Sequence, residues 1–221
     1  MTGEPFFCAK NLKKTWDSMK IDLSIQADRG SMTAITGPSG SGKTTALNLI
    51  AGLIPPEGNH TLTLGGRDIS RLPPGKRGVG MVFQSPALFL HLTVEDNIAY
   101  GLRCRGVARG EARERAAEWL RKIGLQGFEK RYPETLSGGE AQRVALARTL
   151  IVEPALVLFD EPLSALDAPL RAKLASEIAA LNGTLGFTGI LVTHDIAEAR
   201  RLCSRILRME GGRIAEENAV G

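Results

Sequence analysis

The chain has 221 residues, of which 43% are hydrophobic and 24% charged, a globular composition with room for one core burying about 70% of the unfolded chain's surface. Lys and Arg outnumber Asp and Glu by 28 to 24, a net charge of +4, which suits an anionic ligand without demanding one; aromatics at 5% are too few for a single-strand nucleic-acid binder built on stacking platforms. The three cysteines, Cys8, Cys104 and Cys203, stand far apart with no CxxC pair, which excludes a zinc ribbon, argues against a disulfide framework and points to a reducing cytoplasm.

In chain order, Met1-Thr2-Gly3-Glu4-Pro5 lacks the basic start and apolar stretch of a signal peptide. No apolar run approaches the ~18 residues of a membrane span. The expectation is a soluble chain, so that work at a membrane needs another chain to span it. Residues 32–36 read as a short buried strand. Residues 43–51 read as a helix with Leu47, Ile50 and Ala51 on one face and Gly52 as its stop. Residues 79–83, 156–159 and 190–192 are further strands, rich in Val, Ile, Leu and Phe as doubly buried parallel strands are. Between them, from about residue 86 to 150, the pattern is mostly helical. Ala112, Ala116, Trp119, Leu120 and Ile123 form one stripe, with Arg113, Arg115, Arg121 and Lys122 as a solvated face. Later, Asp167 caps a helix with Pro169 in its first turn, a stripe of Leu170, Leu174, Ile178 and Leu181, and Gly183 as its stop; Gly211-Gly212 reads as a hairpin turn. The whole is one domain over 1–221: an α/β core from 1–85 and 151–221, interrupted by a helical subdomain.

Three segments carry chemistry. The first, Gly37-Pro38-Ser39-Gly40-Ser41-Gly42-Lys43-Thr44, matches the phosphate-binding pattern GxxxxGK[ST] and lies between a strand and a helix, as that pattern requires. Glycines let backbone N–H groups turn inward toward phosphate oxygens, and the following helix adds its N-terminal dipole. Lys43 then reaches the β- and γ-phosphates, and the Thr44 hydroxyl can ligate Mg²⁺. The second segment is the apolar strand that ends in Asp160 and Glu161. Such a strand delivers its acids to the carboxyl edge of the sheet, where ligands bind in open α/β folds. Asp160 is placed to hold Mg²⁺ through water and Glu161 to polarise an attacking water.

The third segment is Leu136-Ser137-Gly138-Gly139-Glu140. Ser137 and Glu140 have capping-box spacing, and a helix start accounts for those two in full. Capping leaves Gly138 and Gly139 unexplained, because each glycine weakens a helix by ~1 kcal/mol. Their use would be close backbone approach to an anion at the helix N-terminus.

With these segments in this order, the chain resembles the nucleotide-binding subunits of ATP-binding-cassette (ABC) transporters over essentially its whole length. The resemblance implies a phosphate-loop NTPase core, a mostly parallel sheet with flanking helices and an N-terminal antiparallel β part, carrying an inserted helical subdomain. It implies ATP and Mg²⁺ as cofactors, with Thr45 joining the phosphate-loop contacts. Gln84 is placed as the family's glutamine that touches Mg²⁺ and the attacking water. Ser164-Ala165-Leu166-Asp167 is placed as the turn that brings Asp167 to the nucleotide, and His194 as the switch histidine. Trp16 sits where the family places an adenine-stacking aromatic. Two chains, identical or paralogous, would sandwich two ATP molecules, with Ser137, Gly138 and Gly139 serving the partner's γ-phosphate.

Two positions depart from the pattern. Glu140 stands where glutamine is commoner, a change that keeps the capping box, and Leu90 stands where proline is frequent before His91, itself expected to be structural. The segment from Pro162 to Arg171 is similar to subunits of bacterial importers. The resemblance therefore implies a transmembrane permease, a solute-binding protein and a place on the inner face of the cell membrane. The permease is expected to dock between Gln84 and Ser137, where Phe89 and Leu90 add apolar surface. Many such importer subunits carry a C-terminal regulatory domain. The chain stops soon after Arg213-Ile214, so regulation through one is not expected. The alternative is an exporter or a lipid- or lipoprotein-handling system. A soluble relative acting on DNA is less favoured, because neither coiled coil nor zinc module is present, and no nucleic-acid partner is expected.

Overall fold

The structure, a computed structural model, describes residues 4–16 and 19–219; Met1, Thr2 and Gly3, named above, lie outside them. Two sheets organise the chain. The first is antiparallel, built from β1 (Phe7–Trp16), β2 (Met19–Ala27), β4 (Thr61–Leu64) and β5 (Arg67–Asp68) in the order β2-β1-β4-β5. The second has six strands in the order β10-β9-β3-β8-β7-β6. Its members are β3 (Met32–Thr36), β6 (Val79–Val82), β7 (Leu156–Asp160), β8 (Thr188–Val192), β9 (Arg205–Glu210) and β10 (Arg213–Ala219). Pairing is parallel from β9 through β6, and β10 closes the edge as an antiparallel hairpin on β9. Glu210 pairs with Arg213 across Gly211-Gly212, both with positive φ, the two-residue turn that matches strand twist. Every residue of β3, β7 and β8 is buried, which is why these strands read as predominantly apolar rather than as alternating polar and apolar residues.

The period-two alternation of the central strands divides the core into two. Leu156, Leu158, Ile190 and Val192 face one cluster, with α1 (Lys43–Ala51) and the apolar side of the antiparallel sheet, including Phe7, Leu12 and Ile21. Val157, Phe159 and Leu191 face the other. There they meet α2 (Val94–Cys104), α3 (Arg109–Lys122), α4 (Gly138–Leu150), α5 (Ala168–Leu185) and α6 (Ile196–Leu202). The helical stretch therefore shares its core with the sheet. α1 stops at Gly52, and Arg77, 6% exposed, donates to the Leu49 and Ile50 carbonyls at its end. A cation at a helix C-terminus also meets the negative end of the dipole.

Three sequence expectations are corrected. The strand of residues 79–83 ends at Val82, and Phe83 begins the loop that carries Gln84. The helix begun at Asp167 runs through Gly183 and stops at Gly186, whose φ of 65° and N–H to the Asn182 carbonyl make the left-handed cap. A glycine ends a helix only where it takes that conformation; Gly183 does not. Arg113 is no bystander on a solvated face. Its Nε and Nη2 donate to Asp96 Oδ1 and Oδ2 at 3.0 and 2.8 Å, joining α3 to the first turn of α2. No described helix is long and apolar enough to cross a membrane.

Candidate functional site

The phosphate loop leaves the end of β3 and enters α1 at Gly42, whose φ of 100° only glycine adopts without strain. No side chain caps α1. By contrast α2, α4, α5 and α6 are capped by Thr93, Ser137, Asp167 and Asp195. The first N–H groups of α1 thus face a cavity of about 270 Å³, lined by Ser39, Gly40, Gly42, Lys43, Thr44 and Thr45, with Met19 and Glu161 opposite. Lys43 is 6% exposed, and its ammonium donates to the Gly37 and Pro38 carbonyls at 2.9 Å, folding back over the loop. The buried Ser41 hydroxyl has no partner among the described residues.

A phosphate chain fits this donor set: uncapped helix N–H groups, a lysine and an unpaired hydroxyl, with no acid in the first turn of α1. A magnesium ion fits as well. The Thr44 Oγ1 donates to Asp160 Oδ1 at 2.8 Å, so the two oxygens that would face the ion already converge. No cluster of three or more His, Cys, Asp or Glu side chains suited to a metal occurs among the described residues. Mg²⁺ takes one or two protein ligands and completes its shell with water and phosphate oxygens, and Thr44 and Asp160 would supply those ligands. Burial pushes the Asp160 carboxyl up from its ordinary value, against the Thr44 hydrogen bond.

Next to Asp160, Glu161 sits at φ 45°, with its N–H on the Val192 carbonyl of β8. Its side chain lies 3.0 Å, Oε2 to Nδ1, from His194 on the turn after β8. The pair forms because β7 and β8 are parallel neighbours whose carboxyl ends lie side by side. An acid and a histidine in contact beside a phosphate-shaped cavity can accept a proton from a water positioned there.

The other sequence-predicted residues stand outside this cavity. None of its described lining residues is Trp16, Gln84, Asp167 or His194, or comes from Ser137–Gly139. Ser137 starts α4 in a complete capping box with Glu140, whose carboxyl those contacts hold below its ordinary value. Gly139 is buried, and a Cβ there would come 2.7 Å from a terminal methyl of Leu170 of α5, which would have to shift, so packing within the chain bears on this glycine. Gly138 is exposed and has only Leu166 at 3.7 Å. Asp167 is exposed and accepts from the Leu170 N–H. Trp16 ends β1 with 40% of its surface exposed, paired across the hairpin with Met19, which does line the cavity.

Gln84 is exposed. Its segment is clamped from α4, where Gln142 donates to the Phe83 carbonyl and Arg148 to those of Pro86 and Ala87. Phe89 is held at both backbone groups by the fully buried Asn97, and Leu90 and His91 are exposed. Sequence reasoning missed Gln142, Arg148 and Asn97. All three act on the backbone of other segments, and side chains that do so leave no local pattern.

The ABC transporter family model matches residues 21–164. The iron(III) import ATP-binding protein FbpC of Agrobacterium fabrum is 46% identical over 212 residues, 95% of this chain and 60% of that protein. The sulfate/thiosulfate import ATP-binding protein CysA of Mycobacterium tuberculosis is 49% identical over 205 residues, 92% of this chain and 58% of that one. The chain thus spans 60% or less of the length of these relatives. A solved ATP-binding cassette, described as a dimer in a post-hydrolysis state bound to ADP and Pi, superposes with a TM-score of 0.84 at 31% identity, over 97% of this chain and 99% of that one. With the family model covering more than half of its residues, the chain belongs to the ABC transporter family.

Proposed function

We propose that this chain is the ATP-binding and ATP-hydrolysing subunit of a membrane importer, working from the inner face of the membrane through a separate permease supplied by a solute-binding protein. The observation that carries the hydrolytic part of this reading is the Glu161–His194 contact of 3.0 Å beside the phosphate-loop cavity that Glu161 lines. Bound Mg-ATP would supply the γ-phosphoryl group and the cation that offsets its charge. Lys43 and the N–H groups of α1 hold the phosphates, Thr44 and Asp160 hold the ion, and Thr45 lines the same wall. Glu161 takes the proton of the attacking water, and His194 fixes the carboxylate that does so. Gln84 senses the site from the loop after β6. Gly138 and the Ser137 hydroxyl, exposed at the start of α4, serve the nucleotide of a second copy or a paralogue. Relatives named as import ATP-binding proteins and a structural neighbour described as dimeric support this reading.

The test is hydrolysis by the purified chain. Glu161→Gln keeps the size and hydrogen bonds of the carboxylate but cannot take a proton. It should retain ATP binding and lose ~10²–10⁴ in rate, and His194→Ala should also slow turnover. Glu161→Gln with ATP should run as a dimer in light scattering, and adding Ser137→Arg should return it to monomer. Parental hydrolysis rates in both single variants would overturn the assignment.

A further inference from the structure

The contact between Glu161 and His194 joins two turns. α5 follows the first turn and α6 the second, and between these helices lies a cavity of about 200 Å³ bordered by Arg171, Ala172, Asp195, Glu198 and Arg201. Polar links span it. Arg171 donates through Nη2 to the Leu166 carbonyl at 2.9 Å, in the turn that follows Glu161. Through Nη1 it reaches Asp195 Oδ2 at 3.1 Å, the residue after His194. Asp195 Oδ1 caps α6 at the Ala197 and Glu198 N–H groups. The Thr193 hydroxyl accepts from the Asp195 N–H and donates to the buried Glu198 Oε2. The residues on both sides of His194 are therefore fixed, and Arg171 ties them to the turn of Glu161.

We propose that Arg171 is a positioning residue for the Glu161–His194 pair, setting the distance between the two turns and carrying displacements of the Ser164–Asp167 turn to His194. The planar guanidinium holds two acceptors at a fixed separation through one rigid fork, whereas the donors of a lysine ammonium radiate from a single point on a flexible stem. Misplacement of a reacting group by about 1 Å can cost on the order of a hundredfold in rate, so a link of this kind governs turnover without touching the nucleotide.

This inference rests on the roles proposed above for Glu161 and His194. Arg171→Ala should lower kcat for ATP roughly tenfold with KM within about twofold, and Arg171→Lys should recover only part of the loss. In a His194→Ala background the same substitution should cost less than about twofold further, because its effect passes through the histidine. Asp195→Asn, which keeps the cap on α6 but drops the charge facing Arg171, should reproduce the loss and serves if Arg171→Ala fails to fold. The chain has three histidines, His60, His91 and His194, so labelled-histidine NMR reads the geometry without turnover: Arg171→Ala should move the His194 signals and leave the other two in place. Parental kcat in folded Arg171→Ala, or a loss that adds in full to that of His194→Ala, overturns the inference and leaves the proposed function standing. Absence of hydrolysis in the unaltered chain overturns the proposed function, and unmoved His194 signals then overturn the positioning role as well.

Discussion

The Thr44 hydroxyl donates to Asp160 Oδ1 at 2.8 Å, joining the first turn of α1 to the end of β7 across 116 residues of sequence. Asp160 is 8% exposed, and burial raises its pKa above the ordinary 3.8. The folded state therefore holds this proton more tightly than the unfolded chain does. The group's stabilising contribution is complete below the unfolded value and is lost as pH rises through the raised folded value. Where the carboxylate is charged, its burial costs stability. Asp160→Asn should consequently raise the melting temperature of the ligand-free protein at neutral pH, with the gain shrinking as pH falls toward the acid range. Mg-ATP should stabilise the parent more than this variant, which keeps the phosphate contacts and loses a charge facing the ion. Calorimetry at neutral and acid pH checks the pair of effects; an Asp160→Asn protein that melts lower at neutral pH would contradict the burial cost.

Lys43 makes its two hydrogen bonds to carbonyls of its own loop. Lys43→Ala removes a charge-assisted contact to the phosphates and strips Gly37 and Pro38 of their donor. Loss of ~1.5–3 kcal/mol, or roughly ten- to a hundredfold in ATP affinity, is expected. Fluorescent-nucleotide titration of the folded variant measures it, and unchanged affinity would remove the lysine from the nucleotide site.

The two glycines at the start of α4 should separate by experiment. Gly139→Ala places a Cβ 2.7 Å from Leu170. Overpacking of ~1–3 kcal/mol then outweighs the ~1 kcal/mol gained in helix propensity, so the melting temperature falls. Leu170→Ala should relieve part of that loss. Gly138→Ala meets only an ordinary contact with Leu166 at 3.7 Å and should keep or raise stability. A fall in hydrolysis with full stability in Gly138→Ala is the expected mark of close approach by a second chain. Equal melting temperatures for the two variants would refute the packing role of Gly139.

Residues whose conformation is decided by near neighbours were readable directly. β3 is five buried residues, three of them apolar, between a turn and a glycine loop, and α1 runs from the lysine of the loop to its stop at Gly52, so both match their expected bounds. The phosphate loop, the capping box at Ser137 and the Gly211-Gly212 turn are equally local. The first antiparallel strands were implied by resemblance and not by periodicity. β1 carries Lys10, Asn11, Lys13 and Lys14 among its apolar residues, and a bulge at 9–12 breaks its alternation.

The sequence by itself thus determined the nucleotide chemistry: which loop curls around phosphate, which strand ends in acids, which helix begins with a capped serine. Tertiary structure decided what these pieces touch. The 3.0 Å contact of Glu161 with His194 exists because β8 inserts between β3 and β7. The space at Gly139 is limited by the Leu170 methyls of α5. Arg113 finds Asp96, and Arg171 finds Leu166 and Asp195, across the seams between elements. Backbone preferences act over a few residues and leave a periodic trace. Hydrogen bonds and close packing between distant segments depend on strand order and helix placement, which the cooperative burial of the two apolar clusters sets for the chain as a whole.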